Sequence, residues 1–431
     1  MRSDFCADML SRLKSLFGRY RDLLSNTAGL YIETLTSYLF PLITLPYLVR
    51  VLGPKGFGIL AFGQSLVSYF TTFVDYGFQL YGSRAAASCS DRRLLSGLFW
   101  NAILARGLLF AGTAVLLLVL TLGVPTIGEA AQVILFLLFI PLAQALSPSW
   151  LYLGCQKMEI LAKLNLAVNA LAVASIFLFV KAPQDLPVLA AILGLSPLVG
   201  NSLAAFTAAR TWPLQWVPPR WKDAKALLRE AFPLFLSTSA IAFYTAANSF
   251  LLGLLTTKQN VGIFAAAEKL VRAAQRLLNP ISTALFPVMI QAASVSRQEL
   301  YRKVRRGGTV FLALSLGLAG FLILLAPTLV RWLLGADFLA SNPVVRLLAL
   351  MLPIAAASNV LGLHLLLPLG HDKAFTAIVI GAGVLNVMLA LLLVPSLGSM
   401  GMAVATVSAE LAVTVSAAMV IVFGWDKQRR N

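Results

Sequence analysis

The sequence predicts an all-α polytopic membrane protein, with twelve transmembrane helices in two six-helix lobes around a central cavity. Three observations predict it. Only 12% of the 431 residues are charged and 59% are hydrophobic, with mean hydropathy +0.84; a soluble chain carries about 25% charged residues. Apolar stretches of the ~20 residues that cross a bilayer recur along the whole chain. Lys and Arg are dense in alternate loops and sparse in the others, as the positive-inside rule requires.

The twelve spans are read at 28–49, 57–79, 97–122, 129–153, 160–181, 187–208, 231–256, 260–291, 308–333, 343–368, 374–395 and 400–424. With both termini in the cytoplasm, 24 of the 34 Lys and Arg fall on inside segments, six on outside ends and four within spans. That asymmetry accounts for the net charge of +17 and removes the reason to read the chain as a nucleic-acid binder. The order is then a cytoplasmic interfacial N-tail (1–27), an N-lobe (28–208), a cytoplasmic linker (209–230), a C-lobe (231–424) and a cytoplasmic C-tail (425–431).

The N-tail carries charges throughout (Arg12, Lys14, Arg19, Arg21, Asp22) and no apolar core before a small-residue cleavage site. It reads as a helix on the membrane surface, not a cleaved signal. Pro218-Pro219 and clustered charge mark the linker. The basic amphipathic segment 293–308 suits anionic lipid headgroups. Proline inside spans (Pro41, Pro46, Pro280, Pro287, Pro353) reads either as tolerated transmembrane proline or as bending points for alternating access.

The two halves carry a repeat. FGILAFGQSL at 57–66 aligns with VGIFAAAEKL at 261–270, an offset of 204 that pairs Gly58 with Gly262, Ile59 with Ile263, Ala61 with Ala265 and Leu66 with Leu270. Each segment opens the second span of its half. An offset that keeps the inside-to-outside direction makes the lobes parallel repeats about an axis normal to the membrane, with a substrate path between them.

Several chemistries find no residues to carry them. There is no phosphate-cradling Gly loop followed by Lys-Ser/Thr, no GxSxG, and only two histidines, His364 and His371. No metal centre and no cofactor are expected. Cys6, Cys89 and Cys155 all fall on the expected cytoplasmic side, where thiols stay reduced.

Charge inside the spans is the remaining signal. The stretch 261–291 holds Glu268, Lys269, Arg272 and Arg276, and one such group at mid-bilayer costs about 2.5–3.5 kcal/mol. Lys269, Arg272 and Arg276 are spaced i, i+3, i+7 and share a helix face. Glu268 lies four residues before Arg272 and pairs with it. The face reads as the lining of a wet cavity, or as a buried network with Glu268 and Glu410. Arg106 lies about 14 Å into span three and Glu33 about 8 Å into span one, at 1.5 Å rise per residue. Glu33, Asp75 and Glu410 read either as structural partners or as gate or ion-coupling groups, with Asp75 also placed to hold Arg84. His364 reads as a hydrogen-bonded packing residue. Tyr38, Tyr47, Tyr69, Trp150, Tyr152 and Tyr244 read as belt or packing residues, or as platforms for sugar rings. A cationic cavity suits an anionic substrate, a phosphate or pyrophosphate above all.

These residues also resemble a family. NTAGLYIETLTSYLFPLITLPYLVRVLGPKGFGILAFGQSLVSYFTTFVDYGFQLYGSRAAA (26–87), PSWLYLGCQKMEILAKLN (148–165), GIFAAAEKLVRAAQRLLNPISTALFPVM (262–289), LLGADFLASNPVVRLLALMLPIAAASNVLG (333–362) and LGSMGMAVATVSAELAV (397–413) are similar to Wzx-type O-antigen and polysaccharide flippases, of the multidrug, oligosaccharidyl-lipid and polysaccharide exporter superfamily. The resemblance implies a non-enzymatic transporter in the bacterial inner membrane. Its substrate would be an oligosaccharide on undecaprenyl pyrophosphate, moved from the cytoplasmic to the periplasmic leaflet and coupled to an ion gradient, with a polysaccharide polymerase as a possible neighbour. By position it implies Lys269, Arg272 and Arg276, with Arg106, as substrate-binding groups, and Asp75 and Arg84 as gate residues beside Glu33, Glu268 and Glu410. The rival readings are a multidrug or cation exporter of the same superfamily, and a membrane enzyme of polysaccharide assembly. The exporter would favour an acidic cavity; the enzyme would need a longer outside loop than the roughly ten residues found here.

Overall fold

The computed structural model describes the backbone of residues 2–89 and 91–429. Side chains are described at residue 36 and over 39–89, 91–239 and 247–422. Among these residues every regular element is a helix. In chain order they are α1 (Arg2–Asp75), α2 (Phe78–Ala87), α3 (Arg92–Gly123), α4 (Pro125–Gly128), α5 (Ala131–Leu137), α6 (Phe139–Leu146), α7 (Ser149–Gly154) and α8 (Met158–Phe179). There follow α9 (Leu186–Thr211), α10 (Trp221–Leu255), α11 (Lys258–Val295), α12 (Arg297–Leu329), α13 (Asn342–Ala349), α14 (Met351–Leu361), α15 (Asp372–Leu397) and α16 (Ser399–Arg429).

Ten stretches of the described residues are long and apolar enough to cross a membrane. The difference from twelve has two sources. Leu39–Ala87 runs as one stretch across the end of the expected first span and the whole of the second, interrupted within α1 only at Gly53 (φ +66°). The expected seventh span lies on α10, whose side chains at 240–246 are outside the described residues.

Helix starts follow local chemistry. Asp91 accepts the Arg93 N–H at 2.8 Å at the head of α3. Ser296 accepts the Glu299 N–H at 3.0 Å to open α12, a Ser-x-x-Glu capping pattern. Leu350 separates α13 from α14, and Pro353 lies in the first turn of α14, so this proline marks a break between two helices. Pro280 and Pro287, by contrast, sit within a continuous α11.

The chain divides into two compact units. The first comprises the chain to Thr44 together with Leu66–Lys181 and Asp185–Ala242. In it α6 packs on α9 and α3, α8 on α9, and α2 on α7. Its core holds Phe78, Phe99, Trp150 and Tyr152, and the Tyr152 hydroxyl donates to the Ala204 carbonyl at 2.9 Å. The linker is laced to the inner end of α3: the Trp100 indole donates to the Gln215 carbonyl at 3.0 Å, and the Arg220 N–H to Asn101 Oδ1 at 2.8 Å. The charged stretch after Pro219 forms the first turns of α10.

The second unit comprises Leu45–Ser65, Ala182–Gln184 and the chain from Phe243 onward. Here α11 packs on α12, α13 and α16, and α15 packs on α16. Its core includes Phe264, Phe338, Val344 and Leu348, each at most 1% exposed. In hydrocarbon, lipid tails are as apolar as these side chains, so close fit and hydrogen bonds hold such helices together, not water exclusion.

The corner between α1 and α2 is the sharpest in the first unit. Tyr76 (φ +50°) and Gly77 (φ +73°) turn the chain through two left-handed residues. Tyr76 stacks on Phe235 at 4.4 Å and 7°, and a Cβ on Gly77 would lie 2.8 Å from the Phe235 nitrogen. Gly77→Ala is therefore expected to cost at least about 1–2 kcal/mol from the left-handed backbone alone, seen as a lower melting temperature in detergent. Gly97→Ala, with open space around it in α3, is expected to leave the melting temperature unchanged or raised. Equal melting temperatures for the two variants would remove this account of the corner.

Candidate functional site

Helix α11 carries one buried stripe and one open one. Phe264, Ala267, Val271, Ala274 and Leu278 recur at i, i+3, i+7, i+10 and i+14 and are all buried. At about 100° per residue Lys269, Arg272 and Arg276 fall on the opposite side. Lys269 and Arg276 are exposed and Arg272 is half-buried. The three expected residues therefore share a face, and it is turned away from the packing of the helix.

Glu268 is committed to one of them. Arg272 Nη2 and Nε donate to Glu268 Oε1 at 2.7 and 2.9 Å. This i, i+4 pair holds the guanidinium against its own helix and lowers the charge of the face by one. The Lys269 ammonium lies 4.9 Å from the centroid of the Phe57 ring, a cation–π contact that steadies the charge without neutralising it.

Arg106 has a different environment. It is 1% exposed, and its Nη1 and Nη2 donate to the carbonyls of Gln144 and Ser147 at 3.0 and 2.9 Å, with Phe78 5.4 Å from Cζ. Those carbonyls end α6, where Pro148 brings no N–H to continue the ladder. A cation at a helix C-terminus also meets the negative end of its dipole. Asp75 joins the same group, accepting from Gln144 Nε2 at 2.7 Å within electrostatic reach of Arg106. Gln79 accepts from Ser149 at 2.6 Å beside it. Asp75 is thus placed with Arg106 and Gln144, while Arg84 is exposed in the last turn of α2.

The other expected groups are dispersed. Glu410 is half-buried on α16, in the turn where Thr414 donates to its carbonyl at 3.1 Å and to that of Ile354 on α14 at 3.1 Å. The side chains of Glu33, Tyr38 and Tyr244 lie outside the described residues. Trp150 and Tyr152 are core residues of the first unit. His364 is buried, with Nε2 3.0 Å from the Ser282 carbonyl and Phe311 edge-on to its ring, a hydrogen-bonded packing residue.

Sequence reasoning missed two cations. Lys258, expected at an outside end, is 5% exposed; its ammonium donates to the Gly253 carbonyl at 3.0 Å and sits 3.5 Å from the Phe62 ring centroid. Arg50, also expected outside, donates to the Trp332 carbonyl. Nothing in their immediate sequence distinguishes them from loop cations, because their partners lie far away in the chain.

Comparisons with known proteins complete the picture. The family model described as polysaccharide biosynthesis protein matches residues 23–293. Two curated relatives bear the name "Putative O-antigen transporter". The one from Escherichia coli (strain K12) is 29% identical over 382 residues, covering 88% of this chain and 92% of the relative. The one from Shigella dysenteriae is 25% identical over 395 residues, covering 90% and 98%. Among solved structures, the lipid II flippase MurJ in an inward closed conformation aligns with TM-score 0.72 at 13% identity, over 92% of this chain and 87% of that one. An inward-facing multidrug resistance MATE transporter of the MOP superfamily aligns with TM-score 0.70 at 15% identity, over 94% and 98%. The all-helical fold is therefore that of these transporters, and the chain belongs to the polysaccharide biosynthesis protein family.

Proposed function

We propose that this protein is a Wzx-type flippase. It moves an oligosaccharide repeat unit on undecaprenyl pyrophosphate from the inner to the outer leaflet of the bacterial cytoplasmic membrane by alternating access, with both termini in the cytoplasm and an ion gradient as its drive. The observation that carries the reading is the open cationic face of α11, set opposite a packed stripe in an otherwise apolar helix. A charge in hydrocarbon is costly, and a stretch built only for packing would not keep three. The O-antigen naming of both relatives supports the glycan class.

In this reading Lys269 and Arg276 take the pyrophosphate, and Arg272 joins when the substrate competes with Glu268. Arg106 and Asp75 hold the first unit together around the broken end of α6, and do not touch substrate. Glu410 and Glu33 are the carboxylates left for ion coupling.

Two sets of variants separate these roles. Lys269→Ala, Arg272→Ala and Arg276→Ala are each expected to insert normally and to lower surface glycan about tenfold or more, the equivalent of roughly 1.4 kcal/mol of lost binding. Normal glycan in all three would sink the assignment. Normal glycan in the deletion strain, with altered drug sensitivity, would favour an exporter instead. Arg106→Ala is expected to act on folding, because it strips buried carbonyls and a carboxylate of their cation, at about 3–5 kcal/mol. The membrane should then hold little folded protein by size-exclusion profile, whereas a well-folded Arg106→Ala with no glycan would return Arg106 to the substrate set.

A further inference from the structure

The internal repeat meets itself in space. The Leu45–Ser65 stretch of α1 crosses the start of α11 at the two glycines that the repeat pairs. A Cβ built on Gly58 would lie 1.7 Å from the Lys258 carbonyl oxygen and 2.8 Å from the Gly262 nitrogen. A Cβ on Gly262 would lie 1.8 Å from the Pro54 carbonyl oxygen and 3.1 Å from the Gly58 nitrogen. Gly58 with Gly262, and Pro54 with Lys258, are both separated by the repeat offset of 204. The contact is therefore reciprocal: each glycine faces the residue four before the other, as in an isologous interface.

Main chain lies on main chain here, so a side chain at either glycine has no flexible neighbour to push aside. Small residues admit such approach in membranes, and Cα–H groups against carbonyl oxygens add weak attraction. The rest of the stretch seals the same end. Arg50 donates to the Trp332 carbonyl, Phe57 meets Phe338 edge-on at 6.3 Å, and Phe62 stacks on Phe250 at 5.8 Å with Lys258 over its face. This packing ends at Ser65, where the same helix passes into the other unit. A contact confined to one end of a long helix is suited to forming and parting as a whole.

We infer that the Gly58–Gly262 crossing is the closing seam of the transport path at its outer end, and that both positions act as a gate because they are glycine. The inference rests on the flippase reading for which end is outer and for what passes. It adds a link to the cationic face: Phe57, beside Gly58, lies against Lys269, seven residues or about 10 Å along α11 from Gly262. Parting the seam withdraws the ring from the ammonium, so gate and binding face change together.

The test uses the full-length protein in intact cells, with Cys6, Cys89 and Cys155 replaced by Ser and one reporter, Ala61→Cys, placed at a buried site one turn inward of Gly58. A membrane-impermeant maleimide reads access from outside, and surface glycan reads transport. With both glycines present, labelling is expected to be slow. Gly58→Leu should raise its rate about tenfold or more by shifting the population away from the shut state, and should lower glycan output. Gly112→Leu, on an exposed part of α3 with nothing near, should change neither. Gly58→Ala and Gly262→Ala place the smallest side chain in the same clash and should each act in the same direction. Inserted Gly58→Leu protein that labels as slowly as the glycine form, or that exports glycan normally, overturns the seam. Failure of both alanine variants to insert would make the crossing a folding contact and overturn it equally. Labelling does not depend on the cargo: if it accelerates while glycan proves independent of this chain altogether, the seam stands and the flippase reading falls.

Discussion

An ionised group in the membrane must find water, a counter-charge or a set of dipoles, and the rest of this structure depends on how its cations meet that demand. Arg106 is spent on the carbonyls that Pro148 leaves open at the end of α6 and on the field of Asp75. Lys258 is spent on the Gly253 carbonyl and the Phe62 face. Both are buried, and both stabilise irregular backbone that hydrocarbon could not tolerate. Lys269 and Arg276 are neither buried nor packed into a core. Only such exposed cations retain the capacity to bind an anion that arrives and leaves.

The same economy governs the backbone. Close main-chain crossings concentrate where glycine permits them, and the left-handed corner at Tyr76-Gly77 sets α2 against α7 and Tyr76 against α10. These are local devices with long-range consequences. Gly77 fixes where α2 starts, α2 carries Phe78 to Arg106, and Arg106 closes the end of α6. A conformational change that moved this unit as a body would leave that chain of contacts intact, because its polar groups are already satisfied by one another.

Much of this was legible in the sequence, and the rest fails for identifiable reasons. The all-helical membrane fold follows from hydropathy alone. The cationic face of α11 follows from spacing i, i+3, i+7, and the Glu268–Arg272 pair from spacing i, i+4. These are short-range relations on one helix. Arg106 looked like Lys269 in the sequence, since each is a cation in a span; what separates them is a carbonyl pair 38 and 41 residues away. The proline at 148 was the available signal, because a proline ending a helix leaves acceptors that something must fill. Lys258 and Arg50 were read as loop cations because charge counting assigns a side and says nothing of a partner. The match of Gly58 with Gly262 was visible as kinship between halves, but that the two residues touch is a fact of three dimensions.

The repeat also separates what packing requires from what function requires. Beyond the glycines, the offset of 204 pairs Leu66 with Leu270 and Val67 with Val271, all of them buried. On the other face it pairs Ser65 with Lys269, Ser68 with Arg272 and Thr72 with Arg276. The hydroxyls of the first copy are held locally, Ser65 on the Phe62 carbonyl at 2.7 Å and Thr72 on that of Ser68 at 3.0 Å. Two helices with the same packing stripe have thus kept opposite chemistry on their other faces, one neutral and hydroxylated, one cationic. If the fold needed the charges, the first copy would need them too. Their confinement to the second copy assigns them to the cargo, and an amphiphile with a diphosphate at one end and sugar hydroxyls beyond it is a cargo that needs both kinds of face.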